Sequence, residues 1–113
     1  MPKYMVLYRS SVPATEQMSG SDEAAQAGME LWMAWATRVG AAMTDMGSPL
    51  NSVGTVASSG SKAEARRPFV CGFSVLEADS VDAANKLLDD HPHFHAPGEN
   101  SIEVLEFLPV PGM

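Results

Sequence analysis

Cysteine is almost absent from this chain of 113 residues, and basic residues are few. A single cysteine excludes an internal disulfide and fits a reducing compartment. Cys71 lies within an apolar stretch, where a free cysteine is most simply a small core residue. Seven basic residues against fourteen acidic ones give a formal charge of −7. Because phosphate binding needs clustered Lys and Arg, this balance argues against a nucleic-acid partner.

Long apolar runs are also missing, so the sequence predicts no membrane-spanning helix and no signal peptide. By elimination we expect a soluble cytoplasmic protein. The length predicts one domain over residues 1–113. The glycines and serines form no P-loop, dinucleotide fingerprint or nucleophile elbow, which removes the nucleotide and hydrolase classes that depend on them.

Alternating and helical patterns predict six elements. Phe69–Glu77 is apolar on both alternating faces, which indicates a central strand covered on both sides. The run from Val81 to Leu88 has helical spacing, with Asp79 or Ser80 as its N-cap. The other elements are a strand over Tyr4–Arg9, a long helix over Asp22–Met46 that ends at Gly47, a strand over Pro49–Ala57 and a strand over Ser101–Leu108. The Ser10–Ser21 and Ser58–Pro68 segments between them are predicted loops.

The predicted element order, βαββαβ, indicates an α+β fold. It is the ferredoxin-like pattern, a four-stranded antiparallel sheet with both helices on one face. The other face carries too many apolar residues to lie in water. We therefore expect a homodimer with the two sheets packed face to face.

Three segments carry a resemblance: KYMVLYRS at the start, GFSVLEADSVDAANKLLDDHP in the middle and NSIEVLEF near the end. Together they resemble the YCII-related family. The resemblance implies a dimeric α+β barrel. It also implies, for some members, a small enzyme with a His–Asp pair between the sheet and the long helix. The family's histidine is expected near the first loop or the start of the long helix, and this chain has no histidine before His91, so that pair is not carried over.

All three histidines lie in one short run, His91-Pro92-His93-Phe94-His95. Residues two apart share a face in extended chain, so His91, His93 and His95 are candidate ligands of one divalent metal. The alternative is general acid–base catalysis by His93 or His95, with Asp89 or Asp90 orienting the ring. A third interpretation involves no chemistry. A histidine near the C-terminus of the helix interacts favourably with the helix dipole, and the other histidines are solvated loop residues.

Asp79 is a further candidate, either as a carboxylate at a pocket mouth or as a helix cap. We predict an apolar ligand pocket between the sheet and the long helix. Its predicted lining residues are Tyr8, Arg9, Trp32, Trp35 and Phe73.

The first functional hypothesis is a small enzyme, needing no cofactor, that moves a proton on an aromatic or lactone-like molecule. The second is a non-catalytic ligand-binding or regulatory dimer. The third is a structural interaction module without pocket chemistry, in which the tryptophans are core or interface bulk.

Overall fold

The computed structural model describes residues 1–18 and 20–112. The strands are β1 Lys3–Ser10, β2 Met43–Pro49, β3 Thr55–Val56, β4 Lys62–Ala63, β5 Phe69–Glu77 and β6 Asn100–Glu106. The helices are α1 Ala14–Gln17, α2 Asp22–Val39 and α3 Val81–Leu87, with 3-10 helices at Gly40–Ala42 and Pro92–His95. None of these helices has both the length and the apolar character that a membrane crossing needs.

Four of the strands form one antiparallel sheet in the order β2-β5-β1-β6. The α+β class and the four-stranded antiparallel sheet are thereby confirmed, and the strand order is compatible with the ferredoxin-like pattern. Strands β3 and β4 pair only with each other, as a separate hairpin.

The hydrophobic core lies between this sheet and helices α2 and α3. Val6, Tyr8 and Leu76 project from the two central strands and pack against Trp35 and Val39 of α2. Alternation explains the placement, since every second residue of β1 is buried. Helix α3 begins as predicted, because the hydroxyl of Ser80 accepts a hydrogen bond from the backbone N–H of Ala83.

The predicted helix over Asp22–Met46 is wrong at its C-terminal end. Helix α2 stops at Val39, because Gly40 adopts a positive φ of 60° that a helix cannot continue. The residues from Met43 onward form β2, and the predicted strand over Pro49–Ala57 is wrong as well. Its residues Thr55 and Val56 belong to the separate hairpin.

Strand β2 is an edge strand, and its pairing with β5 is interrupted at two places. Gly47, predicted as the end of a helix, instead lies within this strand at a φ of 83°. Its backbone N–H donates to the carboxylate of Asp45 over 2.8 Å. A Cβ atom at residue 47 would lie 1.6 Å from the carbonyl oxygen of Phe73, so the close approach of β2 to β5 requires glycine here.

The second face of the sheet carries apolar side chains that neither core cluster includes. Register places Met5 opposite both Val75 and Leu105, and Leu7 opposite Phe73. Directly paired residues share a face, so these five side chains form one surface. We call it the open face of the sheet.

The predicted loop Ser10–Ser21 contains the short helix α1, whose Ala14 is buried. Ser19 lies outside the described residues. Cys71 is buried as predicted, and its thiol donates to the carbonyl of Val12 over 3.4 Å. Burial raises the pKa of this thiol above its ordinary value, so the reactive thiolate is disfavoured.

Substituting Gly47→Ala should destabilise the fold by at least about 1–3 kcal/mol, because the methyl group meets backbone at an unfavourable φ. Gly28→Ala is the matched control: apart from its chain neighbours and the backbone of its own helix, no atom lies within 4 Å of its added Cβ, and alanine favours helix α2. The control should gain about 0.5–1 kcal/mol. Urea denaturation measures both, and equal stabilities for the two variants would contradict the close approach of β2 to β5.

Candidate functional site

His91 occupies the space between the sheet and α2, enclosed by aromatic rings. Its ring centroid lies 4.2 Å from that of Trp35, 4.6 Å from Trp32 and 4.9 Å from Tyr8. The side chain is fully buried. Three residues of the predicted pocket therefore do come together, and the imidazole fills the space between them.

Hydrogen bonding fixes the protonation of the His91 ring. Its Nδ1 accepts from the backbone N–H of His93 over 2.9 Å, so the neutral ring carries its proton on Nε2. That buried Nε2 has no hydrogen-bond partner among the described residues. Burial, followed by the charges of His93 and Arg38, lowers the pKa of His91 from 6.5 to about 3, so the ring is neutral at pH 7.

Tyr8 lies on the sheet side of this aromatic cluster and is held in place by a chain of hydrogen bonds. Its hydroxyl donates to the Ser74 hydroxyl over 2.8 Å, which donates to the carbonyl of Met46 over 2.7 Å. Burial raises the pKa of Tyr8 to about 12, against the smaller opposing effect of the Ser74 hydrogen bond. The phenol is therefore a structural donor at neutral pH.

His93 is also buried, beneath the start of β6. Its Nε2 lies 2.8 Å from the carbonyl oxygen of Arg9, and burial lowers the pKa of its ring. Because both His91 and His93 are enclosed, a solvent-borne substrate reaches neither ring while the Pro92–His95 helix is in place.

Two residues of the predicted pocket, Arg9 and Phe73, lie on the open face, across the sheet from the aromatic cluster. Arg9 forms an ion pair with Glu103, with 3.1 Å between Nη1 and Oε1. Both partners are partly exposed. Asp79 is exposed at the start of α3, where Ser80 rather than Asp79 provides the cap. Among the described residues, Asp79 forms no hydrogen bond or ion pair with a histidine, and Arg9 contacts one only through its backbone carbonyl, which lies beside the His93 ring.

His95 forms a His–Asp pair with Asp90 at the surface. Its Nε2 lies 2.8 Å from the Asp90 carboxylate, and the two side chains are 56% and 79% exposed. Since a carboxylate only accepts, Nε2 donates and Nδ1 carries the lone pair. Asp90 has a φ of 53°, a left-handed conformation that aspartate tolerates better than most residues and that turns the chain from α3 toward His95.

The His95–Asp90 pair lies on a groove of about 240 Å³ between α2 and the Pro92–His95 helix. Trp35 and Pro92 form part of its wall, and Arg38 adds a positive charge. The Nη2 atom of Arg38 donates to the Asp89 carbonyl over 2.7 Å, and this hydrogen bond holds the guanidinium at the edge of the groove. The complete lining is Leu31, Ala34, Trp35, Arg38, Asp90, Pro92 and His95.

Sequence reasoning missed most of this lining, although one signal was present. Leu31, Ala34 and Arg38 are spaced by three and four residues, which places them on one side of α2. A second, wider cleft of about 670 Å³ lies elsewhere, between Ser11, the Arg67–Pro68 segment and the residues from 98 to 101. It contains none of the predicted site residues.

The three histidines do not converge. Each has one ring nitrogen in a separate hydrogen bond, to the His93 backbone, the Arg9 carbonyl and Asp90 respectively. Within residues 1–18 and 20–112, no three His, Cys, Asp or Glu side chains are grouped as metal ligands. A shared metal would require His91 and His93 to leave their buried positions, and metal binding by this run stays a prediction.

A scan against protein-family models finds no match for this chain, and a search of curated proteins finds none either. The resemblance to the YCII-related family therefore stays an expectation based on the three segments quoted above.

The buried, neutral His91 should make stability fall in acid. Between pH 6.5 and about 3, residue 91 is protonated in the unfolded state but not in the folded state. The contribution of His91 to the free energy of unfolding is therefore complete above pH 6.5 and is lost as the pH falls through this window. At pH 5 the loss from His91 alone is about 2 kcal/mol.

The measurement is urea denaturation of wild type and His91→Phe at pH 7.5, 6 and 5. Phenylalanine keeps an aromatic ring in the cluster and cannot be protonated, so its stability should vary less with pH. His95→Gln, which removes an exposed imidazole, should keep the steeper wild-type dependence. Parallel curves for wild type and His91→Phe would contradict a neutral buried imidazole.

Proposed function

We propose that this chain is a YCII-related protein whose groove beside α2 catalyses proton transfer on a small aromatic or lactone-like molecule without a cofactor. The observation that carries the proposal is the His95–Asp90 pair on a partly apolar groove, with Arg38 at its edge. A carboxylate that holds one ring nitrogen leaves the other to act as a base, which is the arrangement that general acid–base catalysis uses.

The proposed step begins with Nδ1 of His95 taking a proton from a carbon next to a carbonyl group. Asp90 stabilises the imidazolium that forms, through the hydrogen bond to Nε2. The exposed imidazolium exchanges its N–H proton with solvent and then delivers one proton to another carbon of the conjugated system, so the double bond moves and the composition of the molecule does not change. These two proton transfers together are an isomerisation, which requires neither an oxidant nor a reductant.

Arg38 would stabilise the negative charge that forms during the reaction. Removing a proton beside a carbonyl places negative charge on its oxygen, and a fixed cation lowers the free energy of that anion. Arg38 donates through Nη2 to the Asp89 carbonyl, and no other group within the described residues accepts a hydrogen bond from its guanidinium, so the remaining N–H groups can donate to a ligand. Trp35, Leu31 and Pro92 would contact the apolar part of the molecule.

We further propose that the functional form is a homodimer. The accessible surface is 7602 Å², against roughly 6,000 Å² for a monomer of this mass. The excess, about 1,600 Å², exceeds the 800 Å² or so that each partner buries in a standard interface. The open face of the sheet supports the sheet-to-sheet arrangement, because Leu105, on its edge strand, is still 38% exposed.

His95→Gln should lower the catalysed rate of proton exchange by about 100- to 10,000-fold, which is the usual contribution of a general base. The assay incubates the protein in D₂O with β,γ-unsaturated five-membered lactones and aryl ketones. Proton NMR follows loss of the C–H signal, and ultraviolet absorbance follows conjugation of the double bond. Asp90→Asn should also slow exchange, since asparagine tolerates the left-handed backbone but cannot neutralise an imidazolium.

Asp89→Asn is the matched control, because it removes a neighbouring carboxylate and keeps the carbonyl that accepts from Arg38. Its rate should equal that of wild type. Exchange that is unaffected by His95→Gln would overturn the proposal. Saturable binding of the same compounds without any exchange would favour the alternative, a non-catalytic ligand-binding or regulatory dimer.

Leu105→Arg should convert the dimer into a folded monomer, because it places a charge on the open face opposite Met5. Light scattering after size-exclusion chromatography gives the mass, and circular dichroism reports whether the fold is kept. Val81→Arg, at an exposed position of α3, is the control and should stay dimeric. A Leu105→Arg variant that keeps the wild-type dimer mass would rule out sheet-to-sheet packing.

A further inference from the structure

Residues 53–64 form a hairpin that projects from the domain, and we call it the hairpin arm. Strands β3 and β4 pair through Thr55 with Ala63 and Val56 with Lys62. The turn between them is closed by a hydrogen bond from the N–H of Ala57 to the carbonyl of Ser61 over 2.8 Å. Every residue of the arm is exposed.

The base of the arm is fixed to the sheet although the arm itself is not covered. The Ser52 hydroxyl accepts from the backbone N–H of Val70 over 3.0 Å and lies 3.2 Å from its carbonyl, so Ser52 is tied to β5. Beyond this anchor, β3 and β4 make their extensive contacts only with each other. The arm therefore starts from a defined position and direction.

An uncovered hairpin of this kind lacks the usual source of stability. A two-stranded hairpin alone in water is marginally stable, and strands normally need a third strand or a packed face. The arm instead presents Val53 and Val56 to solvent, at 84% and 72% exposure. Two large apolar side chains on an anchored, projecting element indicate a surface that a partner covers.

The arm and the three residues that follow it carry together a charge opposite to that of the remaining chain. Three of the seven basic residues, Lys62, Arg66 and Arg67, lie in or directly after the arm, with Glu64 as the one acid among residues 53–67. This segment has a net charge of +2, which leaves −9 for the rest of a chain of −7. Within residues 1–18 and 20–112 the three basic side chains form no ion pair or side-chain hydrogen bond.

We infer that the hairpin arm binds the body of a second copy of this chain, burying Val53 and Val56 and placing Lys62, with the two arginines just after the arm, against the acidic surface of the partner. The inference rests on the proposed homodimer and adds a second contact to the sheet-to-sheet one. A second copy fits because its acidic surface supplies the complementary charge. The accessible surface in excess of a monomer's, about 1,600 Å², is also larger than the area that one partner buries in a single standard interface.

Sedimentation velocity over a concentration series tests the inference through the dimer dissociation constant. Val53→Ser with Val56→Ser should weaken the dimer about tenfold or more, since two apolar contacts are lost. Val81→Ser with Val110→Ser removes the same side chains from exposed positions elsewhere and should leave the constant unchanged. Lys62→Glu with Arg66→Glu should weaken the dimer most at low salt, whereas Lys3→Glu with Lys86→Glu should not.

Hydrogen exchange separates the arm from the sheet contact. In the concentrated wild type, amides of residues 53–64 should be protected, and the protection should disappear in Leu105→Arg or on dilution. The inference would be overturned if the arm amides of the wild-type dimer exchange freely and the arm substitutions leave the dissociation constant unchanged. That result would leave the sheet-to-sheet dimer intact. A wild type that is monomeric at every concentration would overturn both.

Discussion

The burial of a neutral imidazole between the sheet and α2 is the constraint on which the rest of this structure depends. Helix α2 has only two buried side chains, Trp35 and Val39. Its attachment to the C-terminal half therefore relies on Trp35 packing against His91 and donating to the Leu87 carbonyl over 2.8 Å. A charged ring at residue 91 would be costly among these aromatic groups, so the packing and the neutral state require each other.

The same packing assembles the surface groove. With His91 inserted, Pro92 lies beside α2 and the 3-10 helix carries His95 to the surface, where it meets Asp90. The Arg38 hydrogen bond to the Asp89 carbonyl links α2 to the segment just before this turn. The groove thus joins one helix face to a turn that is more than fifty residues away in the chain, and both sides are positioned by one buried ring.

The sequence pattern was most informative where burial is regular. The bounds of strand β5 and the start of helix α3 match their predictions, because an apolar run and a serine cap are local signals, whereas the predicted cover on both faces of β5 is not found within one chain. Strand β2 was missed because it is a bulged edge strand, whose polar residues Asp45 and Ser48 hide any alternation, and because glycine at residue 47 equally suits a helix end. Such a position is decided by tertiary contact with Phe73.

The candidate site was predictable only in part, for a similar reason. The stripe of Trp32 and Trp35 indicated an aromatic cluster, and Tyr8 joins it as predicted. That His91 fills the cluster follows from long-range packing that no spacing rule contains. The pairing of His95 with Asp90, rather than with Asp89, depends on the single left-handed residue at the turn.

The aromatic cluster also gives this protein a built-in optical probe. The chain has two tryptophans, and the rings of both lie within 4.2–4.6 Å of the His91 ring centroid. When excitation selects tryptophan, the intrinsic emission thus comes from one region, the contact between α2 and the turn that carries His95. Any event that shifts this contact will change the spectrum without an attached dye, and an event confined to the hairpin arm or the open face will leave it unchanged.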